Sequence, residues 1–212
     1  MNEQSTRRRA GAANLAHAST VLLFTLLVAL AGVVAAGSRA AVHGGHPQLV
    51  IDASIGADLE AVTRETWNRF LVAFDARTGC FGDVHVRAAW ELESRAAYDP
   101  ETATVTVRVP GTRAMLQSAL VHEWAHHVEF QCPAHETLRP AFLAAQRLAP
   151  GTPWRPDTPP ADVPASEWAG IPSEQCAEAA IEVVLGGRPV PTNVRLTREA
   201  VQVVQEWASG DE

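Results

Sequence analysis

His122-Glu123-Trp124-Ala125-His126 is the stretch that decides how this chain is interpreted, because it has the spacing H-E-x-x-H. Residues four apart lie on one face of a helix, so the two histidines can present imidazole nitrogens to one metal ion. Glu123 points about 100° away from His122 around such a helix and can reach a metal-bound water without being a ligand. The stretch therefore predicts a metal site with an adjacent proton acceptor.

The motif lies within a longer predicted helix whose buried face follows from its spacing. Thr112 comes directly after Pro110-Gly111 and can cap a helix that runs to about residue 130. The residues at core spacing on one face are Leu116, Leu120, Trp124 and, more loosely, Val128. The neighbouring face carries Met115, Ala119, His122, His126 and Glu129. We therefore expect the histidines at the margin of a buried helix, lining a cleft; the alternative is a surface helix that carries them by chance.

A second predicted helix can supply the third protein ligand that a catalytic zinc site needs beside its open position. Ser173 is a predicted N-cap, the helix covers residues 174–185, and Gly186 with the glycine after it ends the helix. Glu174 and Glu178 are four positions apart on this helix and therefore share a face.

At these two segments the chain resembles the gluzincins, the thermolysin-like zinc metallopeptidases. In that family a helix downstream of H-E-x-x-H supplies a ligand glutamate, and an acidic residue four positions later hydrogen-bonds the first motif histidine. The resemblance implies one Zn²⁺ held by His122, His126 and Glu174, with Glu178 orienting His122. It also implies a peptide or protein substrate, and a zincin-like catalytic core in which a small twisted sheet packs on helices.

Other ligand sets are compatible with the same sequence. Glu178 could be the direct ligand with Glu174 in support. Glu129 extends the motif to H-E-x-x-H-x-x-E, but on an unbroken helix it would have difficulty closing a tetrahedron with both histidines, so we interpret it as a rim or solvated residue. Glu182 continues the acidic row and is expected to face solvent or an ion pair. The metzincin pattern is excluded, because Glu129 and Cys132 stand where it needs Gly and His.

The expected chemistry is hydrolysis in which Glu123 acts as general base and then passes the proton to the leaving amine. A tetrahedral oxyanion also needs a hydrogen-bonding partner beside the metal, and the resemblance suggests a Tyr or His. The candidates in this chain are Tyr98, His127, His135 and Arg195. His127 is expected to point away from the metal and pack against the protein. A substrate could add as a strand to an edge of the sheet, and the sequence does not identify which edge.

Two further classes of function remain as alternatives. The first is a zincin-like scaffold at the cell surface that binds metal or a partner without turnover. The second is a zinc amidase that acts on a cell-wall amide.

Residues 1–46 predict an export segment rather than part of the fold. Arg7-Arg8-Arg9 precede an almost wholly apolar run over residues 21–36, as in a signal peptide or an uncleaved signal-anchor. Either alternative puts the body outside the cell, secreted or anchored to the cytoplasmic membrane, with membrane contact only through this segment. The remaining residues 47–212 are expected to form a single monomeric domain.

The composition of the chain excludes nucleic acid as an expected partner. The chain contains no lysine, and its formal net charge is -7. Phosphate recognition requires clustered positive charge, which this balance does not supply.

The three cysteines suit an exported protein. We favour a disulfide between Cys80 and Cys132, with Cys176 as a small buried residue inside its helix. Three free thiols are the alternative, and zinc ligation by Cys132 or Cys176 is a lesser one.

The order of the predicted elements indicates an α+β fold. A short strand at 49–51 precedes an amphipathic helix over 57–77, then strands over 83–92 and 102–109 form a hairpin through a turn at 99–101. The motif helix follows at once, and this β-α-β-β-α order resembles the zincin core. The later predicted elements are helices over 137–148 and 197–207, on either side of the third-ligand helix.

A Pro-rich segment over residues 150–172 separates two of these helices. We favour an ordered loop, pinned by Trp154 and Trp168, that brings the Glu174 helix to the metal. A flexible lid over the cleft is the alternative.

Overall fold

The computed structural model describes residues 46–157 and 163–211, which form an α+β fold with a four-stranded mixed sheet. The predicted export segment lies outside the described residues except for its last residue, and so do residues 158–162 of the Pro-rich loop. No helix in the described ranges is long and apolar enough to cross a membrane. The strands are Leu49–Ile51 (β1), Val84–Ala89 (β2), Ala96–Asp99 (β3) and Thr104–Arg108 (β4). The helices are Ala57–Ala73 (α1), Arg113–Gln131 (α2), His135–Ala145 (α3), Ala165–Trp168 (α4), Pro172–Leu185 (α5) and Arg198–Ser209 (α6).

The sheet has the order β1-β2-β4-β3. The predicted hairpin between the strands over 83–92 and 102–109 is not formed, because the hairpin joins β3 to β4. Strands β2 and β4 are parallel, with Val86 opposite Val105. The antiparallel partner of β4 is β3, which was not predicted and which places Tyr98 opposite Val105. The predicted strand over 83–92 ends at Ala89, and the following residues carry the chain to the far edge of the sheet. The predicted strand over 49–51 matches β1, β4 lies within the predicted strand over 102–109, and the turn that precedes β4 follows Asp99 as predicted.

One face of the sheet is buried beneath the helices, and the other is open to solvent. The valines that alternate along β2 and β4 have their side chains fully buried, namely Val84, Val86, Val105 and Val107. Between them on β2, His85 and Arg87 are exposed. Helix α2 packs over the buried face through Trp124, whose ring lies 4.9 Å from Trp67 and 5.6 Å from Phe70 of α1. This aromatic cluster fixes the motif helix against both the sheet and α1.

Several helix boundaries differ from the sequence-based expectation. The first helix ends at Ala73, and the chain continues only as a 3₁₀ turn over Asp75–Arg77. Helix α3 begins two residues earlier than predicted, at His135. Helix α6 covers Arg198–Ser209 against the predicted 197–207, because Thr197 is its cap, with the Thr197 hydroxyl accepting from Ala200 N. These shifts leave the order and type of the predicted helices unchanged.

The predicted disulfide between Cys80 and Cys132 is present, and Cys176 is a buried free thiol. Cys132 is the residue at which α2 ends, and Cys80 lies in the turn before β2. The bond therefore ties the end of the motif helix to the segment that leads into the sheet.

Candidate metal centre

Helix α2 holds the two motif histidines through a cap at its start and an apolar stripe along its length. The Thr112 hydroxyl accepts a hydrogen bond from Met115 N at 3.3 Å, as the sequence predicted. All four residues of the predicted stripe are buried, namely Leu116, Leu120, Trp124 and Val128. Since His122 and His126 lie beside this stripe, they are buried as well and face helix α5.

Helix α5 begins differently from the prediction that Ser173 is its N-cap. The cap position belongs to Ile171, and Pro172 occupies the first turn, where a residue without an N–H is favourable. Ser173 N donates instead to the carbonyl of Trp154 at 3.1 Å, so the Pro-rich loop satisfies the start of this helix. Gly186 ends the helix in the left-handed conformation, as predicted.

Three ligand atoms from the two helices converge on one point. His122 Nε2 lies 3.0 Å from Glu174 Oε2, and His126 Nε2 lies 3.3 Å from the same oxygen. The two Nε2 atoms are 3.1 Å apart. These residues are the group in the described ranges whose donor atoms could hold a metal ion, and all three are buried.

The size of this triangle fits a small divalent cation. Tetrahedral zinc with bonds of about 2.0–2.2 Å separates neighbouring ligand atoms by about 3.3–3.6 Å, equal to or slightly more than the observed sides of 3.0, 3.1 and 3.3 Å. Two imidazoles and one carboxylate are ligands that zinc accepts in catalytic sites. The residues present therefore fit a metal ion.

The Nδ1 atom of His122 faces the second acidic residue of α5. Glu178 Oε1 lies 3.1 Å from this nitrogen, and Glu178 also forms an ion pair with Arg188. Trp168 from the short helix α4 stacks on the His122 ring with centroids 5.7 Å apart. His122 is thus held at both nitrogens and on one ring face.

Glu129 is not the rim or solvated residue that the sequence suggested, because only 8% of its surface is exposed. Its Oε2 lies 3.2 Å from His126 Nδ1. Arg155 donates to both of its oxygens, from Nε at 2.7 Å and from Nη2 at 2.6 Å, and Trp154 Nε1 donates at 2.9 Å. Residues of the Pro-rich loop cover this carboxylate, a contact that local helix periodicity cannot predict.

The charges at this centre stabilise one another against the effect of burial. Burial alone would lower the pKa of His122 and His126, but hydrogen bonds to Glu174 and Glu129 raise the pKa of these histidines. Burial opposes ionisation of Glu129, yet His126 and Arg155 lower its pKa to about 2. The pKa of Glu174 is lowered against burial by hydrogen bonds from both histidines. Ionised carboxylates are therefore held between the helices, as a cation site requires.

Glu123 lies beside the ligand cluster at an open cleft. The cleft has a volume of about 460 Å³, and both His122 and Glu123 line it. Residues from the edge strand and from the segment after α5 complete its walls, including Arg95, Ala96, Arg188 and Asn193. A substrate in this cleft would lie next to His122, one of the three candidate ligands, and next to the carboxylate of Glu123.

The four residues predicted as candidates for stabilising the oxyanion lie outside the cleft, among other contacts. The Tyr98 hydroxyl lies 2.9 Å from His127 Nδ1, and the other nitrogen of His127 lies 3.0 Å from the Gly82 carbonyl. His127 is fully buried and packs as expected. His135 lies between the rings of two tryptophans, and Arg195 is exposed. None of the four is among the residues that line the cleft described above.

The sequence did not predict that Arg155 and Arg188 form ion pairs with the carboxylates around the two histidines. Both reach the centre from segments outside the long helices, so helical spacing carries no information about them. One signal was present for Arg155, because it is the single basic residue between positions 150 and 172. An acidic cluster buried around a motif requires nearby positive charge, and this residue was the available source in that loop.

Comparison with models of known families, with curated protein sequences and with solved structures gives no match for this chain.

Proposed function

We propose that this protein is a zinc-dependent hydrolase with a zincin-like core that cleaves peptide bonds. The observation that carries the proposal is the convergence of His122 Nε2, His126 Nε2 and Glu174 Oε2 with separations of 3.0–3.3 Å. Three protein ligands of this kind leave one coordination position of zinc open, as in catalytic rather than structural sites. The cleft beside the ligands supplies room for a substrate.

Glu123 is the proposed proton carrier. Bound zinc would supply Lewis-acid polarisation of the substrate carbonyl and would acidify a water molecule. Glu123 follows His122 directly and lines the same cleft, so its carboxylate can take the proton of the attacking water and give it to the leaving amine.

The edge strand β3 is the proposed docking site for an extended peptide. The sheet has two edges, β1 and β3, and Ala96 of β3 lines the cleft together with Ser94 and Arg95. A peptide could add to the free side of β3 through main-chain hydrogen bonds. This placement would bring a substrate carbonyl past Glu123 and the ligand cluster.

The proposed stabiliser of the oxyanion is a donor of the cleft wall rather than a Tyr or His. Arg95, Arg188 and Asn193 line the cleft and carry side-chain N–H groups. Arg188 is tied to Glu178, and burial together with the charge of Arg95 lowers the pKa of Arg188 to about 10. All three can donate hydrogen bonds, and the two arginines can also supply positive charge, where a tetrahedral oxyanion develops.

We also propose that the body works outside the cytoplasm. The disulfide between Cys80 and Cys132 supports this location, because such bonds persist in oxidising compartments. The export segment predicted from the sequence is compatible with either a secreted or an anchored protein.

The decisive experiment compares wild type with Glu123→Gln. The purified protein is analysed for zinc and other divalent metals, and hydrolysis is measured on a peptide library and on isolated cell-wall material. We expect one zinc in both proteins and a rate at least about 100-fold lower in the variant, since general-base catalysis contributes about 10²–10⁴-fold. Glu182→Gln is the matched control, because it removes a carboxylate on α5 outside the ligand cluster.

Each alternative function predicts a different result. Zinc binding with no hydrolysis of any substrate indicates a metal-binding scaffold. Cleavage of cell-wall material but not of peptides indicates an amidase. Equal rates for wild type and Glu123→Gln would remove Glu123 from the mechanism.

A further inference from the structure

The second ligand histidine has a neighbour whose role follows from the chemistry of imidazole. A neutral histidine that binds a metal through Nε2 carries its hydrogen on Nδ1, and that hydrogen needs an acceptor. Without one, the ring can take the other tautomer or turn away, and metal affinity falls. The surroundings of His126 Nδ1 therefore decide how well His126 can serve as a ligand.

Two polar atoms lie close to His126 Nδ1, and only one of them can accept a hydrogen. Glu129 Oε2 is 3.2 Å away, and Arg155 Nη2 is 2.8 Å away. A guanidinium has five donors and no acceptor, so it can donate to Nδ1 only in the tautomer that carries its hydrogen on Nε2, and it cannot receive the Nδ1 hydrogen of the metal-binding tautomer. We propose that Glu129 is the positioning residue that fixes His126 as a metal ligand, an inference that rests on the metal site of the proposed function.

Glu129 is held in this position by the Pro-rich loop. Arg155 donates to both carboxylate oxygens, and Trp154 Nε1 donates to one of them. The carbonyl of Trp154 also accepts from Ser173 N at the start of α5. Arg155 Nη1 also lies 3.9 Å from Glu174 Oε1, so both loop residues contact Glu129 and the helix that carries Glu174.

The arrangement repeats the one around the first histidine. His122 Nδ1 contacts Glu178, which pairs with Arg188. His126 Nδ1 contacts Glu129, which pairs with Arg155. Each of the two histidines thus contacts a carboxylate through Nδ1, and an arginine partly neutralises the charge of that carboxylate. Because Glu129 is on the Nδ1 side of the ring, it is placed to orient His126 rather than to replace Glu174.

The experiment measures zinc affinity by competition with a chelator, using the full chain. The variants are Glu129→Ala, Glu129→Gln and the control Glu182→Gln. We expect Glu129→Ala to weaken zinc binding about 10–100-fold, the usual cost of losing a partner of a ligand. Glu129→Gln should retain most of the affinity, because its amide oxygen accepts the Nδ1 hydrogen although the charge is gone. The control should match wild type.

A spectroscopic measurement separates orientation from simple stability. In the zinc-loaded wild type, ¹⁵N NMR of the histidines should show a slowly exchanging hydrogen on His126 Nδ1. Glu129→Ala should lose this signal, and Glu129→Gln should keep it. If Glu129→Ala fails to fold, Glu129→Gln still tests the inference against a third variant, Glu129→Leu, which lacks an acceptor.

Two outcomes overturn the inference while leaving the hydrolase proposal intact. One is a zinc affinity of Glu129→Ala that differs from that of the control by less than about twofold. The other is equal loss in Glu129→Ala and Glu129→Gln, which would make the effect one of charge alone. Absence of zinc binding by wild type would overturn the metal site and this inference together, whereas zinc binding without hydrolysis would overturn the proposed activity only.

Discussion

At the scale of single residues, the two glutamates of α5 have separate contacts with the histidines. Glu174 Oε2 lies within 3.3 Å of both Nε2 atoms, whereas Glu178 meets His122 only at Nδ1, 3.1 Å away. A metal on the Nε2 atoms would therefore have Glu174 as its third ligand and Glu178 as a support. This geometry distinguishes two assignments that the sequence left open.

We predict that Glu174→Ala abolishes measurable zinc binding, whereas Glu178→Ala weakens it about 10–100-fold. The first change removes a ligand atom, and the second removes only the hydrogen-bond partner of a ligand. Metal analysis after dialysis and chelator competition measure both effects. The reverse order of losses would make Glu178 the direct ligand.

A second prediction concerns His135, whose ring lies 5.5 Å from those of Trp154 and Trp207. Burial lowers its pKa to about 4 in the folded protein, against about 6.5 when unfolded. Between these values the unfolded state binds more protons, so stability is complete above pH 6.5 and is lost as pH falls toward 4. The loss attributable to this residue is up to about 3 kcal/mol.

Urea unfolding of metal-free protein between about pH 7.5 and 4.5 measures this effect. His135→Phe should flatten the pH dependence relative to wild type, because it removes the titrating group while keeping a ring between the tryptophans. His85→Gln, at an exposed position of β2, serves as control. Parallel pH profiles for wild type and His135→Phe would contradict the assignment.

Helical spacing predicted that His122 and His126 share a face because that spacing is local, and the family resemblance pointed to Glu174, while the contacts that support these residues are tertiary. The four-residue spacing of His122 and His126 brings both to one face whatever surrounds them. Arg155 reaches Glu129 across 26 positions of chain, and no periodicity connects the two. Glu129 was misassigned for the same reason, since its burial comes from the loop and not from its own helix.

At the scale of elements, the helices were predicted more closely than the sheet. Each long helix has a repeating apolar face, and caps such as Thr112 and Gly186 mark its ends. The strand β3 has only four residues and alternates weakly, so the local pattern does not separate it from the strand predicted over 83–92. Strand pairing depends on non-local contacts, and the parallel register of β2 with β4 could not follow from local alternation.

The disulfide between Cys80 and Cys132 joins two elements, and its removal gives the third prediction. The bond closes a loop with a sequence separation of 52. In the chain-entropy model, a loop of this length stabilises the fold by about 4 kcal/mol. We expect the double variant Cys80→Ala/Cys132→Ala to lose about 3–4 kcal/mol in urea unfolding.

Chemical reduction of the wild type should reproduce this loss and should leave the double variant unaffected. Cys176 is a free buried thiol and does not confound the comparison. A change below about 1 kcal/mol would mean that the unfolded chain already keeps these segments close.

At the scale of the whole molecule, the candidate metal centre lies between α2 and α5, which the chain connects through α3 and the Pro-rich segment. Helix α2 packs on the sheet, and α5 contributes Glu174 from the other side. A bound cation would bridge these two parts through three ligand atoms. Because the three candidate ligands converge only in the folded chain, a metal held by them would bind the native state in preference to the unfolded state.

The fourth prediction is that zinc raises the stability of the whole domain. At free zinc about 1,000-fold above its Kd, the gain is about 4 kcal/mol, or about 8–16 °C in Tm for a domain of this size. Calorimetry with zinc and with a chelator measures the shift. Glu174→Ala should show no shift, since a ligand is missing, whereas Glu123→Gln should show the full shift because Glu123 is not a ligand. If Glu123→Gln also lost the zinc-dependent stabilisation, its carboxylate would belong to the coordination shell, and its proposed role as proton carrier would have to be abandoned.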